Sequence, residues 1–358
     1  MAVSNLQANR PPPIQLNSTT ISFHKTSSIN ATITTILAGE QILINDFYSD
    51  GLLLVKSLQD YLTKKHSTNS FQHQREYRAE YRALSNLILL EIQSHKLIVK
   101  KAPQIGWLKK LYPDETKFYL SFSQIQGLNS AWQWYINGIS IPGIRNKIHP
   151  YYGVYFPTRF EHIQLFDHWL KYYTGTKKFA IDIGIGCGVL SLLLIKHGFQ
   201  KSFGTDINPN AIIGLAESMG DTKLSRMIDL KMGHLFCNYD KKIELIVFNP
   251  PWIPIPKGEI VENLDEAIYY NEKLFSEFFI EAESRLLPDA KIAILFSNIA
   301  QITNSTDQHP IEQELLTGGR YKLVNCFKRT VKDASEKTTR NQHWRATEEV
   351  ELWILELK

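Results

Sequence analysis

From about residue 153 the chain falls into short apolar runs separated by helical patterns. Phe179 to Ile183 is an apolar run feeding the glycine-dense turn Gly184-Ile-Gly186-Cys-Gly188, and an apolar helix follows over Val189 to Lys196. Strand, tight turn and helix make the first half of a βαβ unit. A second strand, Lys201 to Thr205, closes on Asp206, and Asn208-Pro209-Asn210 opens a helix over Ala211 to Met219. Ile228 to Met232 reads as a third strand, ahead of Gly233-His234. Glu244 to Phe248 reads as a fourth and delivers Asn249-Pro250-Pro251-Trp252. The proline-containing loop Ile253 to Asn263 is expected to act as a lid. Beyond it the pattern predicts a helix over Glu272 to Leu287, a strand over Lys291 to Phe296 and a helical turn over Glu312 to Leu316. Tyr321 to Lys328 and Glu349 to Leu357 form a terminal antiparallel pair around a polar loop, Asp333 to Arg345. Residues 151–358 are thus expected to be α/β, with a Rossmann-like sheet of seven strands.

The first half has no pattern that identifies a fold. Residues 1–20, rich in Pro, Asn, Gln, Ser and Thr, read as a flexible arm, and residues 21–150 as a mixed α/β accessory domain. Thr20 to Ile44 is rich in β-branched residues and predicts one or two strands around Ala38-Gly39-Glu40. Asp50 offers an N-cap for a helix over Gly51 to Lys64, ahead of a turn over Ser67 to Phe71. Gln74 to Ser94 reads as the longest helix of this half. Leu97 to Val99 and Lys117 to Phe122 are strand candidates, and Asn129 to Ile136 is a short aromatic-rich helix. Arg75, Arg78 and Arg82 share one helix face, and with Lys96, Lys100, Lys101, Lys109 and Lys110 they form either a phosphate grip or a solvated surface. Trp132, Trp134 and Tyr135 either stack on bases or sit in a core.

Composition narrows the class. Apolar residues make up 43% of the 358 and charged residues 21%, the balance of a soluble globular chain of about two domains. No uninterrupted apolar run reaches about 18 residues, so no membrane span is expected, and the N-terminus lacks a secretory pattern. Cys187, Cys237 and Cys326 are too few and too scattered for a disulfide framework or a zinc site, so no metal is expected. A cytosolic protein is the expectation. The net charge of +4 hides an asymmetry: residues 1–150 carry +7 and residues 151–358 carry −3. A basic half beside a slightly acidic one fits an anionic macromolecular target.

The chemistry gathers between Asp182 and Trp252. A dinucleotide fingerprint, G-x-G-x-x-G, would put a third glycine where Val189 stands. The chain has instead D-x-G-x-G-x-G, led by Asp182. An acid there repels pyrophosphate and suits a ligand with an ammonium group, and Asp206 stands where an acid takes both hydroxyls of a ribose. A nucleoside bearing a positively charged amino acid satisfies both acids, and S-adenosyl-L-methionine is such a molecule. Asp182, Gly184, Gly186, Gly188 and Asp206, followed by Asn-Pro-Pro-Trp after the fourth strand, resemble the class I S-adenosylmethionine-dependent methyltransferases. More narrowly they resemble the small-domain, HemK-like group that methylates planar nitrogens: protein glutamine, guanine N2 or adenine N6. The resemblance covers roughly Gly153 to the C-terminus and implies a seven-stranded methyltransferase sheet. It also implies that Pro157-Thr158-Arg159-Phe-Glu161, a permuted form of the family's Pro-Arg-Pro-x-Thr-Glu lead-in, brings Thr158 and Arg159 to the cofactor pocket. His234 stands where the family commonly has an acid that holds the adenine amino group.

Asn-Pro-Pro-Trp suits nitrogen chemistry. An amide or exocyclic amine is a poor nucleophile because its lone pair is delocalised. Asn249 Oδ1 and the Pro250 carbonyl can each accept one of its N–H bonds, which favours the tetrahedral nitrogen formed as a methyl arrives. The prolines stiffen the turn, and Trp252 offers a flat wall for a planar group. The methyl donor is already activated, so positioning does most of the work. The acceptor stays open at this point. The lead-in points to a protein glutamine, the basic first half to nucleic acid, and a small amine or a non-catalytic binding module are the alternatives.

Overall fold

The computed structural model describes residues 6–66, 71–256, 267–331 and 347–358, and the side chains of 71–75 are outside that set. The chain divides into two compact units, Arg10–Ile136 and Met1–Asn9 with Asn137–Lys358.

The first unit is built on a five-stranded sheet. Its elements are β1 (Ile21–Phe23), α1 (Ile29–Leu37), β2 (Ile42–Ile44), α2 (Tyr48–Lys65), α3 (Phe71–Ser85), β3 (Ile88–Gln93), β4 (Lys96–Leu97), α4 (Trp107–Leu111), β5 (Lys117–Ser121) and α5 (Phe122–Asn137). β1, β2 and β3 run parallel, and β4 and β5 pair antiparallel with β3. Four expectations fail here. The β-branched run at 29–37 is a helix: Ser28 caps it, and the hydroxyls of Thr32, Thr34 and Thr35 donate to carbonyls four residues back. Those bonds satisfy the hydroxyls without favouring the helix; what decides for it is the cap and the burial of Ile33 and Ile36 on the inner face. The long helix expected to Ser94 ends at Ser85. Ile88, Leu89, Leu90 and Ile92 are wholly buried in β3, between β2 and β5, and a run apolar on both faces suits a central strand. Asn129–Ile136 is only the second half of the 16-residue α5. Asp50 sits inside α2 and accepts the Phe47 N–H at 3.1 Å, so the helix starts before it. Trp107, Trp132 and Tyr135 pack ring on ring, whereas Trp134 is 45% exposed. Arg78 and Arg82 are exposed, and the side chain of Arg75 lies outside the described residues, as does most of the expected 67–71 turn.

The second unit has the expected strands β6 (Phe179–Ile183), β7 (Lys201–Asp206), β8 (Ile228–Met232) and β9 (Ile243–Phe248), then an unforeseen short pair, β10 (Ile253–Pro254) and β11 (Tyr269–Tyr270), and the expected β12 (Leu286–Ser297), β13 (Tyr321–Thr330) and β14 (Glu349–Leu357). Its main helices are α6 (Glu161–Tyr172), α7 (Val189–Lys196), α8 (Pro209–Met219), α9 (Lys223–Met227) and α10 (Leu274–Glu283). The seven-stranded sheet has the order β13-β14-β12-β9-β6-β7-β8. It is parallel except for β14, which pairs antiparallel with both β12 and β13. All six residues of β9 are buried, as expected of a strand covered on both faces. Phe278 and Phe279 of α10 are essentially fully buried against the sheet, each worth about 1.5–3 kcal/mol relative to exposure. The helix expected over Glu272–Leu287 stops at Glu283, because Leu286 already pairs with Ile243 and a bulge carries β12 past Pro288. Residues 310–318 form a helical turn, Pro310–Gln313, continued by a π-type turn, Glu314–Gly318. Most of the expected lid and the 333–345 loop lie outside the described residues.

Gly204 in β7 is a packing requirement. A Cβ there would stand 2.1 Å from Ile185 Cδ1. Gly204→Val is expected to destabilise the fold by about 1–3 kcal/mol through overpacking, read as a lower urea midpoint with unchanged slope.

Candidate functional site

The register of the central strands brings the expected chemistry to one edge of the sheet. Ile183, the last residue of β6, lies beside Thr205 on β7 and Phe248 on β9, and Phe248 lies beside Ile294 on β12. Neighbouring strands are about 4.8 Å apart, so Gly184, Asp206 and Asn249 emerge side by side. Between β6 and β9 the strand order reverses direction. Such a switch point leaves a crevice outside the carboxyl ends of the strands, which is where ligands bind in open α/β sheets.

The turn after β6 has left-handed backbone at Gly184, Gly186 and Gly188, with φ of 66°, 52° and 81°. A Cβ on Gly184 would meet nothing within 4 Å, so this side of the turn is open; on Gly188 it would stand 2.7 Å from Leu215 Cδ2. Asp206 ties the turn in place. Its Oδ2 accepts the Gly186 N–H at 2.8 Å and its Oδ1 the Asn208 N–H at 2.9 Å. Burial raises the Asp206 pKa, against the pull of these backbone donors.

Asp182 is 1% exposed. Its Oδ2 accepts both the backbone N–H and the hydroxyl of Ser191 in α7, at 2.9 and 2.8 Å, and Ser191 in turn meets Ser202. Burial pushes its pKa up to about 7, the Ser191 bonds opposing and the Asp206 charge adding to the rise. Its Oδ1 is buried with no partner among the described residues. The carboxylate therefore lies beneath the turn, braced by the helix. An opposite charge nearby would favour its ionised form.

Asn249 follows β9, and its Oδ1 is also buried without a partner among the described residues. Pro250 is buried and Trp252 half-buried. The Trp252 indole N–H donates to the Leu295 carbonyl at 3.3 Å, and its ring meets the His162 imidazole edge-on. His162, in the first turn of α6, was not a residue the sequence singled out. It is 3% exposed, and burial lowers its pKa from 6.5 to about 4, with Glu161 opposing. An unfolded chain takes this proton near pH 6.5, whereas the folded one resists until about 4. The site therefore destabilises the fold as pH falls through that window, by up to about 3 kcal/mol. Thermal melts of His162→Phe are expected to lose less stability between pH 6.5 and 4 than those of the wild type.

The remaining expected residues are spread around this centre. Thr158 is exposed. Arg159 donates to Glu348, an almost fully buried carboxylate just ahead of β14, at 2.7 Å. His234 sets its ring against Glu277 of α10 at 3.2 Å, and 47% of its side chain is exposed. Two asparagines that the sequence marked only as a helix start hold the lead-in to the turn. Asn208 Nδ2 donates to the Gly153 carbonyl and Asn210 Nδ2 to the Tyr152 and Asn9 carbonyls, while Asn210 Oδ1 accepts the Asn9 N–H. A small cleft between this lead-in and α8 is lined by Tyr151, Val154, Gly186, Cys187, Asn210 and Leu215. Among the described residues no group of three or more His, Cys, Asp and Glu could hold a metal ion.

No family model matches the chain. It is 31% identical over 167 residues to a Methanocaldococcus jannaschii protein whose name assigns it, provisionally, to protein N5-glutamine methylation. That match spans 45% of this chain and 80% of that protein. It is 35% identical over 73 residues to the ribosomal RNA small subunit methyltransferase C of Alcanivorax borkumensis, covering 20% of this chain and 22% of that one. Among solved structures, the ribosomal protein L11 methylase of Lactobacillus delbrueckii subsp. bulgaricus matches with 14% identity and a TM-score of 0.36, over 55% of this chain and 79% of that one. The identity over four fifths of the Methanocaldococcus protein decides it: this chain belongs to the class I S-adenosylmethionine-dependent methyltransferases.

Proposed function

We propose that the chain transfers a methyl group to the side-chain amide nitrogen of a glutamine in a protein, at the crevice between β6 and β9. The observation that carries this reading is Asn249 Oδ1, buried and without a partner among the described residues, at the end of β9 next to β6, whose following turn is open at Gly184. A buried carbonyl oxygen without a donor costs about 1–3 kcal/mol, so its retention implies that a ligand N–H satisfies it. Asn249 Oδ1 and the Pro250 carbonyl would take the two amide protons, and Trp252 would carry the plane of the amide.

The residues fit S-adenosyl-L-methionine. Gly184, Gly186 and Gly188 would let the backbone approach it, Asp206 would take the ribose hydroxyls with a second set of lone pairs, and Asp182 Oδ1 would answer its amine through the turn. Thr158, Arg159 and His234 are the further contacts we assign to it. When bound, the cofactor supplies a methyl group already activated on a sulfonium. The protein's part is to hold the nitrogen in line, to polarise its N–H bonds so that electron density rises on the nitrogen, and to exclude water.

Glutamine is favoured because the Methanocaldococcus protein, matched over most of its length, carries that assignment in its name. A second reading, an exocyclic amine of an RNA base, draws on the +7 balance of residues 1–150. Either is a macromolecular substrate. No described helix is long and apolar enough to cross a membrane, and we assign the work to the cytosol. Incubating the protein with radiolabelled S-adenosylmethionine and a cell extract separates the readings. Label removed by protease and retained after nuclease supports glutamine; label removed by nuclease alone contradicts it.

A further inference from the structure

Trp252 packs against the core of the second unit, and among the described residues two further contacts orient its ring. The indole N–H meets the Leu295 carbonyl at 3.3 Å, a long hydrogen bond that fixes a point on the ring but not its plane. The other contact is His162, whose ring centroid lies 5.2 Å from that of Trp252 with the planes at 89°. Edge-to-face rings at this separation attract through their quadrupoles and resist rotation. His162 is itself immobilised by burial, at 3% exposure, and its Nδ1 has no partner among the described residues. A buried imidazole in that state gives up hydrogen bonds it would make in water. Its polarity therefore does not stabilise the fold, and its contact with Trp252 is what the position supplies. Leu295 follows Ile294, the β12 neighbour of Phe248. The carbonyl support thus stands at the sheet edge from which Asn249 emerges.

We propose that His162 is a positioning residue that sets the plane of Trp252 and, through it, the orientation of the planar acceptor. The inference rests on the reading of Asn249 to Trp252 as the acceptor clamp. A tilted indole would leave the cofactor's own contacts untouched and spoil only the alignment of the nitrogen with the methyl group. Rate, rather than cofactor affinity, is the quantity that should respond.

The test follows label transferred from radiolabelled S-adenosylmethionine to a cell extract at saturating cofactor, alongside calorimetric binding of S-adenosylmethionine. His162→Ala is expected to slow transfer about tenfold while cofactor affinity stays within about twofold. His162→Phe keeps a ring, removes the buried Nδ1 that has no partner among the described residues, and is expected to restore the rate to within about threefold of wild type. In a Trp252→Ala background, His162→Ala should cost nothing further, because a residue that acts through another is silent in its absence. Failure of the phenylalanine variant to rescue, despite a wild-type melting temperature, overturns the proposal. So does an undiminished loss from His162→Ala in the Trp252→Ala background. Full transfer by Trp252→Ala alone would have a different signature: it overturns the clamp reading, and this proposal with it.

Discussion

Replacing Asn249 by alanine is expected to cut methyl transfer by about two to three orders of magnitude, the usual cost of losing one fixed polar group aimed at developing charge. Cofactor affinity should stay within about a few-fold, because the glycine turn and Asp206 are untouched. Stability adds an independent readout. Oδ1 of Asn249 is buried and unpartnered among the described residues, so its removal takes away a desolvated oxygen rather than a hydrogen bond. The variant should melt no lower than the wild type. An inactive protein that binds cofactor and is fully stable is the pattern of a lost transition-state contact. Loss of cofactor binding with turnover intact would contradict the role, and thermal unfolding at a much lower temperature would point to a structural turn.

Asp206→Ala is expected to have the second largest effect, on the other substrate. Asp206 accepts the Gly186 and Asn208 N–H groups, so its carboxylate shapes the turn as well as offering lone pairs to a ribose. Removing it leaves two backbone donors without their acceptor, each costing about 1 kcal/mol or more, and deletes the proposed contact to the hydroxyls. Affinity for S-adenosylmethionine should fall by about a hundredfold, while turnover at saturating cofactor falls much less. Asp206→Asn keeps one acceptor oxygen and should lie between. Calorimetry with each variant reads this directly, and unchanged affinity in Asp206→Ala would refute the ribose role.

The parts legible in the sequence are those whose signal is local. β6 and β9 are mostly apolar, each broken by one buried acid (Asp182, Glu244), as suits central strands of a parallel sheet, and the glycines of the first turn mark where the backbone turns left-handed. The illegible parts depend on partners far along the chain. Arg159 and Glu348 are 189 residues apart, and Asn9 and Asn210 are 201 apart; neither pair leaves a pattern in its own neighbourhood. His162 reads as an ordinary core histidine until Trp252 is placed against it. In the first unit, Thr32, Thr34 and Thr35 looked like strand residues because their β propensity is local, whereas the buried Ile33–Ile36 face that decides for helix appears only in the fold. Asp182 shows a subtler difference. The sequence set it facing a ligand, and the structure has it under the turn with one oxygen on Ser191.

Methyl transfer as proposed requires the glycine turn and the asparagine loop to enclose one crevice at the β6–β9 switch point. A crystal structure of the protein with S-adenosylhomocysteine measures this most directly. The account predicts the sulfur between Gly184 and Asn249, with Asn249 Oδ1 facing the side from which the acceptor nitrogen enters. The homocysteine moiety bound elsewhere, or Asn249 rotated away from the sulfur, would contradict it.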